Sequence, residues 1–135
     1  MPRFLPLLLI LLSTSPASAT PADSLTREAI AAEARLDTAR ALDLFLQADR
    51  LRPDDPFLLQ KIARQYSDSV LDTEDVAEKQ SRAQRALDYA LRSVELAPAD
   101  PENVLSLAVS HGKLAVLGDT RAKIEHSRVI KEMAE

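Results

Sequence analysis

The sequence predicts an all-α fold of stacked helical hairpins, and three observations lead there. The stretch Ala41 to Pro56 recurs 45 residues later as Ala86 to Pro101, with eight of sixteen positions identical. A self-similar unit at a fixed period marks a repeat architecture, in which each unit needs a neighbour to bury its apolar face. Apolar residues then return at threes and fours along the chain, the period of a helix with one buried side. Finally, Gly occurs only at 112 and 118, and Asp–Pro pairs punctuate the pattern at 55–56 and 100–101.

Each element follows from local chemistry. Pro21 and Asp23 open a segment that runs to Arg52, with Leu25, Ala29, Ile30, Leu36, Ala41, Leu42, Phe45, Ala48 and Leu51 expected on buried faces. Asp37-Thr38 is an internal turn, since either side chain can accept from the free N–H groups of a new helix. Pro53 ends the second helix, because the residue before proline is pushed out of helical geometry. Asp55 caps the third helix and Pro56 starts it, where its missing N–H costs nothing. Phe57, Leu59, Ile62, Ala63 and Tyr66 are its expected inner face. The longest helix spans about Glu74 to Leu96, with carboxylates near its positive end, and Pro98 stops it. Asp100-Pro101 repeats the restart, and Val104, Leu107, Ala108 and Leu114 carry the stripe onward. Gly118-Asp119 reads as a stop and a new cap before a last helix, Thr120 to Glu135, with Ile124, Val129, Ile130 and Met133 inward. No segment reads as a strand.

Residues 1–19 read as a cleavable secretory signal. Arg3 precedes the apolar run Phe4 to Leu12, and Ala17-Ser18-Ala19 supplies a small-x-small cleavage site, so the expected mature domain is 20–135. Nine apolar residues in helix reach roughly 14 Å, too short to span a bilayer. The expected location is therefore periplasmic or secreted. Zero cysteines leave no disulfide, thiolate nucleophile or Cys-ligated metal. The 17 basic and 21 acidic residues give a net charge of −4, which argues against nucleic acid as the partner.

Signals for chemistry are missing. His111 and His126 stand at no metal-ligand spacing, and His111 is expected to be a packing residue. Gly112-Lys113 lacks the glycines of a phosphate loop and is expected to be a small contact inside a helix. Asp68, Asp72, Glu74 and Asp75 have no central Gly for a calcium loop, so capping and solvation account for them. No enzyme, no cofactor and no metal site are expected.

The helices resemble tetratricopeptide repeats. Leu59, Ile62, Ala63 and Tyr66 match the first-helix pattern of that repeat, and Ala41, Phe45, Ala48 and Pro53 match the second. In a third unit, Val104, Leu107, Ala108 and His111 hold the first-helix positions, giving about two and a half to three degenerate repeats. The period is 45 rather than the usual ~34, and the extra residues fall around Ser67 to Gln80, lengthening the second helix of the unit. The run from Ser110 to Glu132, with Gly112-Lys113, Gly118, Lys123-Ile124, Ser127 and Ile130-Lys131-Glu132, resembles the regulator of microtubule dynamics family. That resemblance covers roughly Asp37 to Glu135 and implies the fold and a binding role. Animal members of that family are intracellular and associate with microtubules or organelle contact sites, which an export signal does not fit. An exported bacterial relative with another partner is the reading that follows. One more period past Pro98 would run beyond Glu135, so the repeat domain is expected to be incomplete at its C-terminus.

The resemblance also implies a groove lined by the first helix of each unit. Gln60, Arg64 and Asp68 in the second unit and Leu105, Val109 and Lys113 in the third are its candidate partner-binding residues. Arg64 and Lys113 could grip a carboxylate, and Leu105 and Val109 could hold an apolar side chain. The alternative is that the cations are only solvated and the two apolar residues pack on the long inserted helix. The function expected is a non-catalytic adaptor for a protein or peptide, with self-association through the open C-terminal face as the alternative.

Overall fold

A computed structural model describes residues 18–135. The expected signal segment therefore lies almost wholly outside the described residues. Six α-helices follow one another: α1 (Pro21–Ala34), α2 (Thr38–Leu51), α3 (Pro56–Ser69), α4 (Val76–Leu96), α5 (Pro101–Leu117) and α6 (Thr120–Ala134). One 3₁₀ turn, Val70–Asp72, leads from α3 towards α4, and no strand occurs among the described residues. The helices pair as hairpins α1–α2, α3–α4 and α5–α6, while α2–α3, α4–α5 and α3–α5 contacts stack the hairpins.

The sequence echo is an echo of structure. Arg52 and Ala97 close α2 and α4 with nearly the same backbone, φ −137° and ψ 73° against φ −143° and ψ 72°. Their N–H groups donate to Ala48 and Ser93, which stand one period apart. Asp55 and Asp100 then cap α3 and α5 in the same way, each followed by Pro as the first helical residue. Asp37, Asp75 and Asp119 also accept a backbone N–H two or three residues into their helices, and Thr20 forms a capping box with Asp23.

Two aliphatic clusters fill the interior. Ala29, Ala32, Ala41, Leu44, Phe45, Ala48, Leu58, Ile62, Tyr66 and Ala86 form the first. Ala63, Leu87, Ala90 and Leu107 form the second, with Leu114 and Met133 packed against them. Alanines at Ala29, Ala32, Ala41, Ala48, Ala63, Ala86 and Ala90 are fully buried. They let the helix backbones approach closely, and larger side chains there would force the hairpins apart.

Several inward assignments are corrected. Leu58, not Phe57, enters the core from the start of α3, and Phe57 is about half exposed beside Lys61. Leu36 is 88% exposed because it adopts φ 59° in the turn between α1 and α2, which takes it off both helical faces. Ile30 and Leu51 also face solvent. Ile124 is 66% exposed, whereas the partly covered residues of α6 are Ala122, His126, Val129, Ile130 and Met133. The extra residues before α4 form the 3₁₀ turn and a short extended link, so α4 starts at Val76 and not at Glu74. Gly112 makes no close contact: a Cβ built there would meet nothing within 4 Å.

Candidate functional site

Helices α3 and α5 run side by side, and their facing residues leave a cleft of about 250 Å³. Its lining comprises Gln60, Arg64, Ser67 and Asp68 from α3 with Glu102, Leu105, Ser106 and Val109 from α5. Five of the six residues expected from the sequence thus share one concavity. Lys113, the sixth, stands one turn beyond Val109 and reaches the site only through its field at Asp68.

Burial sorts these residues into floor and rim. Gln60, expected to face outward, is only 6% exposed because α5 covers it, and with Ser67 and Ser106 it makes a polar floor. Leu105 and Val109 remain exposed at the rim and do not pack away on α4. Crowding around the Asp68 carboxyl pushes its pKa above the ordinary carboxylate value, while Arg64 and Lys113 pull it back down. Arg64 is also drawn towards α1, with its Nε 3.8 Å from the Glu33 carboxylate, itself held by Lys61 and Gln65.

The sequence reading missed Ser67, Glu102, Ser106 and Glu33. Ser67 follows Arg64 by three, and Glu102 and Ser106 precede Leu105 and Val109 by three, so helical spacing was a usable signal. Glu33 carried no such signal, because its role depends on where α1 docks. A second omission lies at the α5–α6 seam. His111 and His126, fifteen positions apart, meet with Nδ1 atoms 2.9 Å apart. No group of three or more metal-ligating side chains gathers among the described residues.

Another cleft, of about 530 Å³, lies between α2 and α4, where Leu42, Leu46 and Tyr66 face Arg82 and Arg85. Arg85 donates to the Tyr66 hydroxyl at 3.2 Å. The charges there are mixed and largely engaged, with Arg82 paired to Glu78.

The family model described as regulator of microtubule dynamics protein 1-3 matches residues 22–135, from the start of α1 through α6. The chain belongs to this family. The match extends the resemblance of the Ser110 to Glu132 run across both earlier hairpins, so the α3–α5 cleft lies wholly inside the family region. No curated protein and no solved structure matches the chain. No helix among the described residues is long and apolar enough to cross a membrane.

Proposed function

We propose that this family member is an exported, non-catalytic adaptor that holds a protein or peptide segment in its α3–α5 cleft. The observation that carries this reading is the convergence of Gln60, Arg64, Asp68, Leu105 and Val109 on one concave surface. Stacked hairpins with alanine seams support a tetratricopeptide-like classification, and such arrays use their concave faces for binding. The segment that fits carries an apolar side chain for Leu105 and Val109 and a carboxylate for Arg64, with Lys113 adding long-range attraction. The family's description speaks of microtubule dynamics. The export signal expected at residues 1–19 argues for a partner other than tubulin here, in a periplasmic or extracellular setting.

The test replaces Arg64 and Lys113 together with Glu and compares the proteins captured from a periplasmic extract. Loss of a captured partner on charge reversal is expected; an unchanged partner set removes the cleft from the proposal. One observation favours self-association as a second reading. Helix α6 contributes no fully buried residue and exposes Ile124. Light scattering separates the two, since a monomer at high concentration speaks against assembly through α6.

A further inference from the structure

Helix α6 is the least anchored element of the fold. None of its residues is fully buried, and it packs chiefly on α5. Among the described residues one side-chain hydrogen bond ties it to another element, and that bond joins two titratable groups, His111 of α5 and His126 of α6. Their Nδ1 atoms stand 2.9 Å apart and their ring centroids 5.1 Å apart, with the planes tilted by 45°. The centroid separation is the nitrogen separation plus the two ring radii, so both Nδ1 atoms lie on the line between the rings. Their lone-pair axes point at each other, not at a shared third point where a metal would sit. Such a contact is stable only with one proton between the nitrogens: two lone pairs repel, and two N–H groups collide.

We infer that His111 and His126 form a proton-sharing latch that keeps α6 docked and releases it when both rings become protonated. In the neutral pair one ring donates its Nδ1–H to the other. A first added proton can go to the outer Nε2 of the donor ring, which leaves the bond intact and makes it charge-assisted. A second proton must occupy the accepting Nδ1. That removes the bond and sets two cations in contact, so the pair titrates in two separated steps.

The surroundings fit this role. Burial first, and His126 second, push the His111 pKa below its ordinary 6.5, while Glu125 on α6 opposes them. The residues that line the adjoining cleft with His126 are Ala77, Gln80, Ser81 and Gln84 of α4, with Leu114 and Leu117 of α5, none of them charged. On α3, Asp68 lies within the fields of Arg64 and Lys113. Glu125 is therefore the one carboxylate whose field is felt at His111, and it cannot compensate two cations. The first proton leaves docking intact. Docking lowers the His111 pKa, so the stability that depends on a neutral His111 is full above the ordinary histidine value and declines below it as the second proton is taken up. Release would uncover the Leu114 and Leu107 side of the second core cluster, on which Met133 packs.

The experiment follows both rings by NMR on the full chain, together with amide exchange of α6 corrected for intrinsic rates, at about pH 7.5 and about pH 5. One histidine is expected to titrate well below the other, and α6 protection to fall about tenfold at the lower pH while α1 to α4 hold theirs. His111→Phe keeps a ring in the seam and leaves His126 without a second cation to meet, so the fall in α6 protection at low pH should vanish. Two independent titrations near the ordinary value with flat α6 protection overturn the latch, as does a pH step that survives in His111→Phe. Copper(II) or zinc that raises α6 protection at neutral pH, reversed by a chelator, would show a chelate and overturn it as well.

Discussion

Lys61 on α3 places its ammonium 2.6 Å from the carboxylate of Glu33 on α1, and each side chain is only 17% exposed. Gln65 donates to the other carboxylate oxygen at 2.8 Å, so Glu33 is engaged on both oxygens. The α1 and α3 backbones touch little along this seam, which leaves the polar group as its main tie. Deleting one member strands the other in a half-dry site. Glu33→Ala should therefore cost about 2–3 kcal/mol, below the cost of a fully buried pair because some solvent reaches both ends. Urea denaturation of Glu33→Ala, Lys61→Ala and the double variant measures it. A coupling under about 0.5 kcal/mol would show that the two groups act independently.

The two glycines should respond in opposite directions. Gly112 sits inside α5 with open space where a Cβ would go, so Gly112→Ala should stabilise by about 0.5–1 kcal/mol through lost chain entropy. A Cβ on Gly118 would lie 2.5 Å from the Ala122 Cβ and 3.0 Å from the Leu114 carbonyl oxygen. Its φ of −87° is open to any residue, so close approach of α6 to the end of α5 is what requires glycine there. Gly118→Ala should cost about 1–3 kcal/mol. Thermal melting checks both, and equal effects would refute the distinction.

What could be read from the chain was local chemistry. Asp37, Asp55, Asp75, Asp100 and Asp119 each precede a helix and cap it, because a cap depends only on its next few neighbours. The face of a helix is harder to read where apolar residues run together. Phe57-Leu58-Leu59 permits more than one phase, and packing against α2 and α4 selected Leu58. Periodicity placed Leu36 inward, but its left-handed backbone resets the helix direction and turns it to solvent, which no period can show. The cleft residues were legible from repeat logic, but the burial of Gln60 depends on how closely α5 lies over α3. The meeting of His111 and His126 is wholly tertiary, since nothing in their spacing brings them together.

Asp23 predicts an acid response at the opposite end of the chain. Its carboxylate takes part in the Thr20 capping box and accepts from Arg52 at 2.5 Å, joining the start of α1 to the end of α2. Arg52 first, and Thr20 next, hold its pKa well below the ordinary 3.8. A depressed folded value means the stabilisation is present above the ordinary pKa and is lost as pH falls through the folded one. Amide protection at the start of α1 should therefore decline in strong acid in the native chain. Asp23→Asn should begin with lower protection and show little of that decline. An identical acid profile in the two proteins would separate Asp23 from the effect.

Asn103 tests whether the two units solve one packing problem in interchangeable ways. It is 1% exposed at the start of α5 and donates through Nδ2 to the carbonyls of Ser93 and Ala97, at 3.2 and 3.1 Å. One period earlier the same seat is filled by fully buried Leu58. There the Ala48 carbonyl receives the Arg52 N–H and needs no side chain, just as Ser93 receives the Ala97 N–H at 3.0 Å. The amide of Asn103 therefore supplements bonds that the backbone already makes. Asn103→Ala should cost about 1–3 kcal/mol, since it removes both the bonds and the filling of the seat. Asn103→Leu copies the first unit and should cost less than about 1 kcal/mol. Denaturation midpoints of the two variants decide the matter. If leucine is as damaging as alanine, the amide bonds and not the packing volume hold α4 to α5.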